Sequence, residues 1–136
     1  MKRAILIIED NADNLYLMKY LLESEEYEVH WSETGAGGIE MAKQLLPAAI
    51  LLDIQLPEMD GYEVARQLTA LPELRQTPIV AVTSYAMVGD REKTLQSGAF
   101  AYMEKPIDPE TFVEEITSYI NQFKQQKGGS HEDTPD

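Results

Sequence analysis

A chain of 136 residues has the length of one domain and can bury a core without metal or disulfide staples. It contains no cysteine, which excludes a disulfide framework, thiolate chemistry and cysteine-based zinc sites. Its formal net charge of −13 repels nucleic acid and anionic lipid, and no apolar run approaches the ~20 residues of a membrane span. The expectation is a soluble, cytoplasmic protein without direct nucleic-acid binding or membrane insertion. The opening "MKRAILIIEDN" has too short an apolar run for a signal peptide.

In chain order, "AILII" (4–8) predicts a buried strand: short, continuous and apolar. "ADNLYLMKYLLESE" predicts a helix with Leu17, Met18, Leu21 and Leu22 on one stripe, capped by Asn11 or Asp13. "YEVHW" (27–31) alternates and is more polar, as expected of a strand near a sheet edge. "GGIEMAKQLL" predicts a second helix, stopped before Pro47. A fully apolar third strand, "AAILLDI" (48–54), follows, then a helix over "GYEVARQLTAL" and a loop around Pro72 to Pro78. "PIVAVTS" (78–84) is the fourth strand. "VGDREKTLQSG" is the fourth helix, with Gly98 at its C-terminal cap, and Ser84 or Tyr85 can cap its start. "AFAYMEK" (99–105) is the fifth strand. The last helix, "DPETFVEEITSYINQFKQQ", is expected to start with Asp108 as cap and Pro109 in its first turn. From Lys127 the periodicity is lost and a disordered tail is expected, giving one domain over 1–124 and a tail over 125–136.

Strand followed by helix, five times over, implies an α/β fold: a parallel sheet with helices on both faces, joined by right-handed crossovers. The strand ends carry the chemistry: Glu9 and Asp10 after the first, Asp53 at the third, Thr83 and Ser84 after the fourth, and Lys105 after the fifth. In a parallel sheet these ends point the same way, so distant acids meet in one cleft at the edge where open α/β sheets bind ligands. Clustered carboxylates repel and need a cation, and Mg²⁺ is the hard ion that carboxylates, waters and phosphate oxygens hold. With Lys105 and a hydroxyl to neutralise oxygens, Asp53 has the setting of a nucleophile that accepts a phosphoryl group. No G-x-x-x-x-G-K-[ST] loop is present to bind a nucleotide donor. Taken singly, each residue has a plainer reading: Asp53 a turn cap near Pro57, Glu9–Asp10 a solvated turn, Lys105 a surface lysine, Tyr102 strand–helix packing. His30, His131 and Trp31 are not expected to form a site.

"IIEDN" (7–11), "LLDIQLPEMDGYE" (51–63), "VAVTSYA" (80–86) and "YMEKPI" (102–107), in this order, resemble the receiver domains of bacterial two-component response regulators. Residues 3 to about 124 carry the resemblance. It implies a flavodoxin-like doubly wound (βα)5 fold with strand order 2-1-3-4-5. It also implies that Asp53 accepts the phosphoryl group from a phosphohistidine of a histidine kinase or histidine phosphotransfer protein. Mg²⁺ would be bound by Asp10, Asp53, the main-chain carbonyl of Gln55, and Glu9 directly or through water. Thr83 and Lys105 would contact the phosphoryl oxygens, Pro106 would follow Lys105 through a cis peptide bond, and Tyr102 would be the switch aromatic. Asn14, Leu15 and Ile107 would lie on the face that docks a histidine-bearing bundle. Ala48 and Ala49 stand where the family often has an acid. Gln55 and Tyr85 occupy positions that tune water attack on the acyl phosphate; a bulky Tyr85 would make self-dephosphorylation slow.

The functional expectation is a phosphoacceptor signalling module, not an enzyme in its own right, that acts through phosphorylation-dependent binding of a downstream effector or by relaying phosphate. It is expected to be a monomer or a phosphorylation-dependent dimer. The stretch from Val82 to Ile107 is similar to stand-alone receivers of the cell-cycle and phosphorelay kind and to receivers attached to hybrid kinases; the start and the short tail favour the former. The competing classes are a Mg²⁺-dependent phosphohydrolase, against which Gln55 counts because a second acid is wanted there, and a pseudo-receiver that only binds partners, which would have a broken acidic pocket where this one is intact.

Overall fold

The structure, a computed structural model, describes residues 2–84 and 89–132, the last six of these by backbone alone. Five parallel strands form one sheet: β1 (Ala4–Ile8), β2 (Glu28–Ser32), β3 (Ala49–Asp53), β4 (Ile79–Thr83) and β5 (Ala101–Glu104), in the order β2-β1-β3-β4-β5. Between and after them run α1 (Ala12–Ser24), α2 (Gly35–Leu45), α3 (Gly61–Thr69), α4 (Asp90–Gln96) and α5 (Phe112–Glu132). This is the flavodoxin-like doubly wound order that the motifs imply.

Strand periodicity divides the core between two faces. Ile5, Ile7, Leu51, Val80 and Val82 point to one side with Met18 and Leu22 of α1 and Phe112, Ile116 and Ile120 of α5. Leu6, Ile8, Ile50, Leu52 and Ala81 point to the other with Ile39 and Ala42 of α2 and Val64, Ala65 and Leu68 of α3. The central strands are therefore apolar on both sides, which is why they read as unbroken apolar runs. The more polar β2 is an edge strand, as its alternation suggests.

The helix ends differ from expectation in instructive ways. α2 starts at Gly35, ahead of the expected "GGIEMAKQLL", with Thr34 accepting a hydrogen bond from Gly37 N–H at 3.0 Å. Glycines are poor helix formers, but here close approach demands them: a Cβ on Gly38 would sit 2.4 Å from Ile8 Cδ1. α4 starts at Asp90 behind Gly89, which has φ of 92° and no side-chain cap, so Ser84 does not cap it; Tyr85 lies outside the described residues. Gly98, with φ of 115°, closes α4 as expected. Regular α5 begins at Phe112 and not at Pro109, because the first turn is tight: Thr111 N–H donates to the Asp108 carbonyl at 3.2 Å. Asp108 still caps that turn, accepting from Glu110 N–H at 2.9 Å. The helical backbone of α5 runs on to Glu132, and residues 133–136 lie outside the described residues.

Candidate functional site

β1 and β3 are neighbours in parallel register, Ile8 beside Leu52, so the chain leaves both strands on the same edge. Glu9, Asp10 and Asp53 meet there, with one carboxylate oxygen from each lying within 4.8 Å of the others. Glu9 and Asp53 are buried and Asp10 faces solvent. β4 lies on the other side of β3, Asp53 beside Val82, and ends in the buried Thr83. β5 pairs with β4, and Lys105 N–H donates to the Thr83 carbonyl at 2.8 Å. That register carries the Lys105 ammonium back across the sheet edge, 2.9 Å from Glu9 Oε1 and 3.3 Å from Asp53 Oδ2. The Lys105–Pro106 peptide bond is cis.

Backbone donors fix the acids. Gln55 N–H donates to Asp53 Oδ1 at 2.8 Å, and Asn11 N–H to Glu9 Oε2 at 3.2 Å. Asn11, not Asp13, caps α1 by accepting from Asn14 N–H at 2.9 Å. Apart from its ion pair with Lys105, Glu9 Oε1 accepts no hydrogen bond although it is buried. Burial foremost pushes the Glu9 carboxyl up to about 7; the neighbouring Asp53 carboxylate adds to this, and Lys105 pulls the other way. A buried acid that resists ionising, held against a second acid and a third at the rim, is a set of hard oxygen donors short of positive charge. It fits a divalent cation.

The remaining expected residues are placed as follows. Asn14 and Leu15 are half-buried on α1, and Ile107 is buried against the α1/α5 core beyond the exposed Pro106. Tyr102 is buried on β5 beside Ala81, with the Arg91 guanidinium of α4 at 6.0 Å from its ring centre. Burial foremost, then the charge of Glu104, raises its phenol above the ordinary range. His30 pairs with Glu28 at 2.6 Å and is no part of the site.

Sequence reasoning missed two contacts. The Gln55 carboxamide reaches across the cleft, its oxygen accepting from Ser84 N–H at 3.3 Å. Glu58, in the loop after β3, accepts from Gly35 N–H at 2.7 Å and ties that loop to the start of α2. No local pattern signals either, because each joins segments more than twenty residues apart.

An acidic cluster and a bridging lysine at the carboxyl edge of a sheet of this order define the receiver class. The family model for the response regulator receiver domain matches residues 5–117, and the chain belongs to that family. It is therefore a signalling module of two-component systems. A polar-differentiation response regulator DivK of Brucella ovis is 42% identical over 120 residues, which span 88% of this chain and 98% of that protein. Among solved structures, a CheY-like receiver domain protein from Methanospirillum hungatei is 29% identical with a TM-score of 0.84, covering 93% of this chain and 99% of its own. The receiver domain of a sensor histidine kinase from Pseudomonas aeruginosa is 33% identical with a TM-score of 0.81, covering 89% and 99%, and has a magnesium ion in its active-site cleft.

Proposed function

We propose that this chain is a cytoplasmic, DivK-like response regulator whose receiver, residues 1–124, takes a phosphoryl group on Asp53 and signals by changing its protein contacts. The observation that carries the reading is the Glu9–Asp10–Asp53 cluster bridged by Lys105. Glu9, Asp10, Asp53 and the main-chain carbonyl of Gln55 would hold Mg²⁺. The bound ion would supply charge neutralisation to the phosphoryl oxygens.

The donor is a phosphohistidine on a histidine kinase or phosphotransfer protein. An Asp53 carboxylate oxygen attacks phosphorus, the P–N bond breaks, and the imidazole leaves with that electron pair and takes up a proton. Gln55 N–H holds the other Asp53 oxygen and so orients the attacking one. Lys105, already drawn to Asp53, pairs with the incoming oxygens, and the Thr83 hydroxyl donates to them. The acquired charge of roughly −1.5 to −2 draws Thr83 and Lys105 together. Tyr102, on β5 beside Ala81 with the Arg91 guanidinium of α4 over its ring, and Pro106, next to Lys105, transmit the change to the α4–β5–α5 face. Asn14 and Leu15 on α1, with Ile107 after Pro106, receive the histidine-bearing helices. A downstream effector reads the altered face, with the receiver as monomer or phosphorylation-dependent dimer.

Beryllofluoride, which mimics an aspartyl phosphate, tests the reading through fluorine NMR. Bound resonances are expected with Mg²⁺ and none in EDTA or in Asp53→Asn. Bound resonances that survive in Asp53→Asn contradict it.

A further inference from the structure

The largest exposed apolar side chains in the described residues include Tyr16 at 71%, Tyr20 at 61% and Trp31 at 44% exposure, on α1 and on the strand β2 that packs beside it. Tyr16 and Tyr20 are one helical turn apart on α1, their rings stacked with centres 6.4 Å apart. Lys19, between them in sequence, reaches to 5.3 Å from the Trp31 ring on β2. Met18 and Leu22 of α1 enter the core, and Leu21 and Ser24 line the groove toward α5. Tyr16 and Tyr20 therefore stand on the outer side of α1, away from the sheet, and Lys19 bridges from their helix to Trp31 at the edge of the sheet. Nothing in the folding of the domain or in its acidic cleft requires three exposed rings at this place.

The segment that carries the rings is strongly acidic. Between Ala12 and Thr34, Asp13, Glu23, Glu25, Glu26, Glu28 and Glu33 are opposed by Lys19 alone. Lys19 is further committed to Glu23 at 3.2 Å. Aromatic faces rimmed by carboxylates suit a cation with a flat apolar surface, and the guanidinium is such a group: it stacks on rings and pairs with carboxylates. Lys19 on Trp31 already shows the geometry with an internal cation. The same negative surroundings disfavour a second copy of this chain and an anionic membrane.

We propose that the α1–β2 flank is a docking surface for an arginine-bearing basic segment of a partner protein, with guanidinium groups on Tyr16, Tyr20 and Trp31 and rim contacts to the acids. The site is separate from the phosphoryl cleft and does not depend on its chemistry. It gives the receiver a second handle, so a partner can hold it irrespective of the state of Asp53.

Trp31 is the only tryptophan of the chain, so its fluorescence reports on the patch directly. The full chain, in EDTA and near-physiological salt, is titrated with a nine-residue arginine–alanine peptide and with its lysine counterpart of equal charge. The arginine peptide is expected to bind about tenfold more tightly than the lysine peptide. That preference should vanish in the Tyr16→Ser/Tyr20→Ser double variant, which keeps the net charge and alters only exposed positions. Equal affinity of the two peptides for the wild type, or a preference that survives in the double variant, overturns the proposal. So does concentration-dependent dimerisation in sedimentation that the double variant abolishes, which would assign the patch to a second copy of the chain.

Discussion

Glu9 sits at the protonation boundary of the site. Its carboxyl is held at about 7 in the folded chain against 4.5 for an unperturbed glutamate, chiefly by burial. The folded state therefore binds more protons than the unfolded state between these values. The stabilisation this gives the metal-free protein is fully present below about 4.5 and is lost as pH rises through about 7. If Glu9 holds the divalent ion as proposed, binding needs it ionised, so affinity runs the other way and increases over the same window. Urea unfolding in EDTA and Mg²⁺ titration by calorimetry, each at about pH 5 and about pH 7.5, are expected to show these opposite trends. Metal affinity that does not change between the two pH values contradicts the assignment of Glu9. Lys105 makes a second case at this scale. Its ammonium occupies the space between Glu9 and Asp53 and competes with any cation there. Lys105→Met is expected to tighten Mg²⁺ binding several-fold while slowing phosphoryl transfer at least about tenfold, because the phosphoryl oxygens lose a partner. Calorimetry and acetyl phosphate kinetics separate the two effects; a variant weakened in both would mean that Lys105 only holds the fold.

At the scale of elements, the loop after β3 shows how a local constraint serves the cleft. Gly61 N–H donates to the Ile54 carbonyl at 3.1 Å, and a Cβ on Gly61 would lie 2.4 Å from Ile54 Cα and the same distance from its carbonyl oxygen. The helix α3, capped by Asp60, must start against the backbone that carries Asp53 and Gln55. Gly61→Ala is expected to cost about 3 kcal/mol or more, since it is backbone that must yield. Its chemical denaturation midpoint should fall well below that of Gly37→Ala, where the Cβ would meet only the side chains of Ser32 and Thr34. Equal midpoints would show that the loop relaxes freely. β1, β3 and β4 were legible in the sequence because burial on both faces makes a strand continuously apolar. The start of α2 was not, because "GAGG" reads as a breaker until Ile8 and Val64 are seen pressing on Gly38 and Gly35. The onset of α5 was displaced for a similar reason: Asp108 and Pro109 carry helix-start chemistry, but they open a tight turn before the regular helix.

For the whole molecule, alternation of strand and helix predicts a parallel sheet but leaves the strand order open. That order came from the motifs that resemble receivers, and the sheet has it. The convergence of Glu9, Asp10 and Asp53 followed from parallel strands, which put these ends on one edge, together with the order that makes β1 and β3 neighbours. The placing of Lys105 across two carboxylates did not, because it depends on the register of β4 against β5. The carboxamide of Gln55 on Ser84 depends likewise on how two loops face each other. Composition excluded whole classes of chemistry, the motifs located the cleft, and tertiary packing set the charge states within it.

The most direct measurement is the intact mass of wild type and Asp53→Asn after incubation with acetyl phosphate and Mg²⁺. The wild type is expected to gain about 80 Da, the gain being prevented by EDTA and reversed by hydroxylamine, while Asp53→Asn stays unmodified. No gain in a folded wild type, or an equal gain in both proteins, would contradict a phosphoryl acceptor at Asp53.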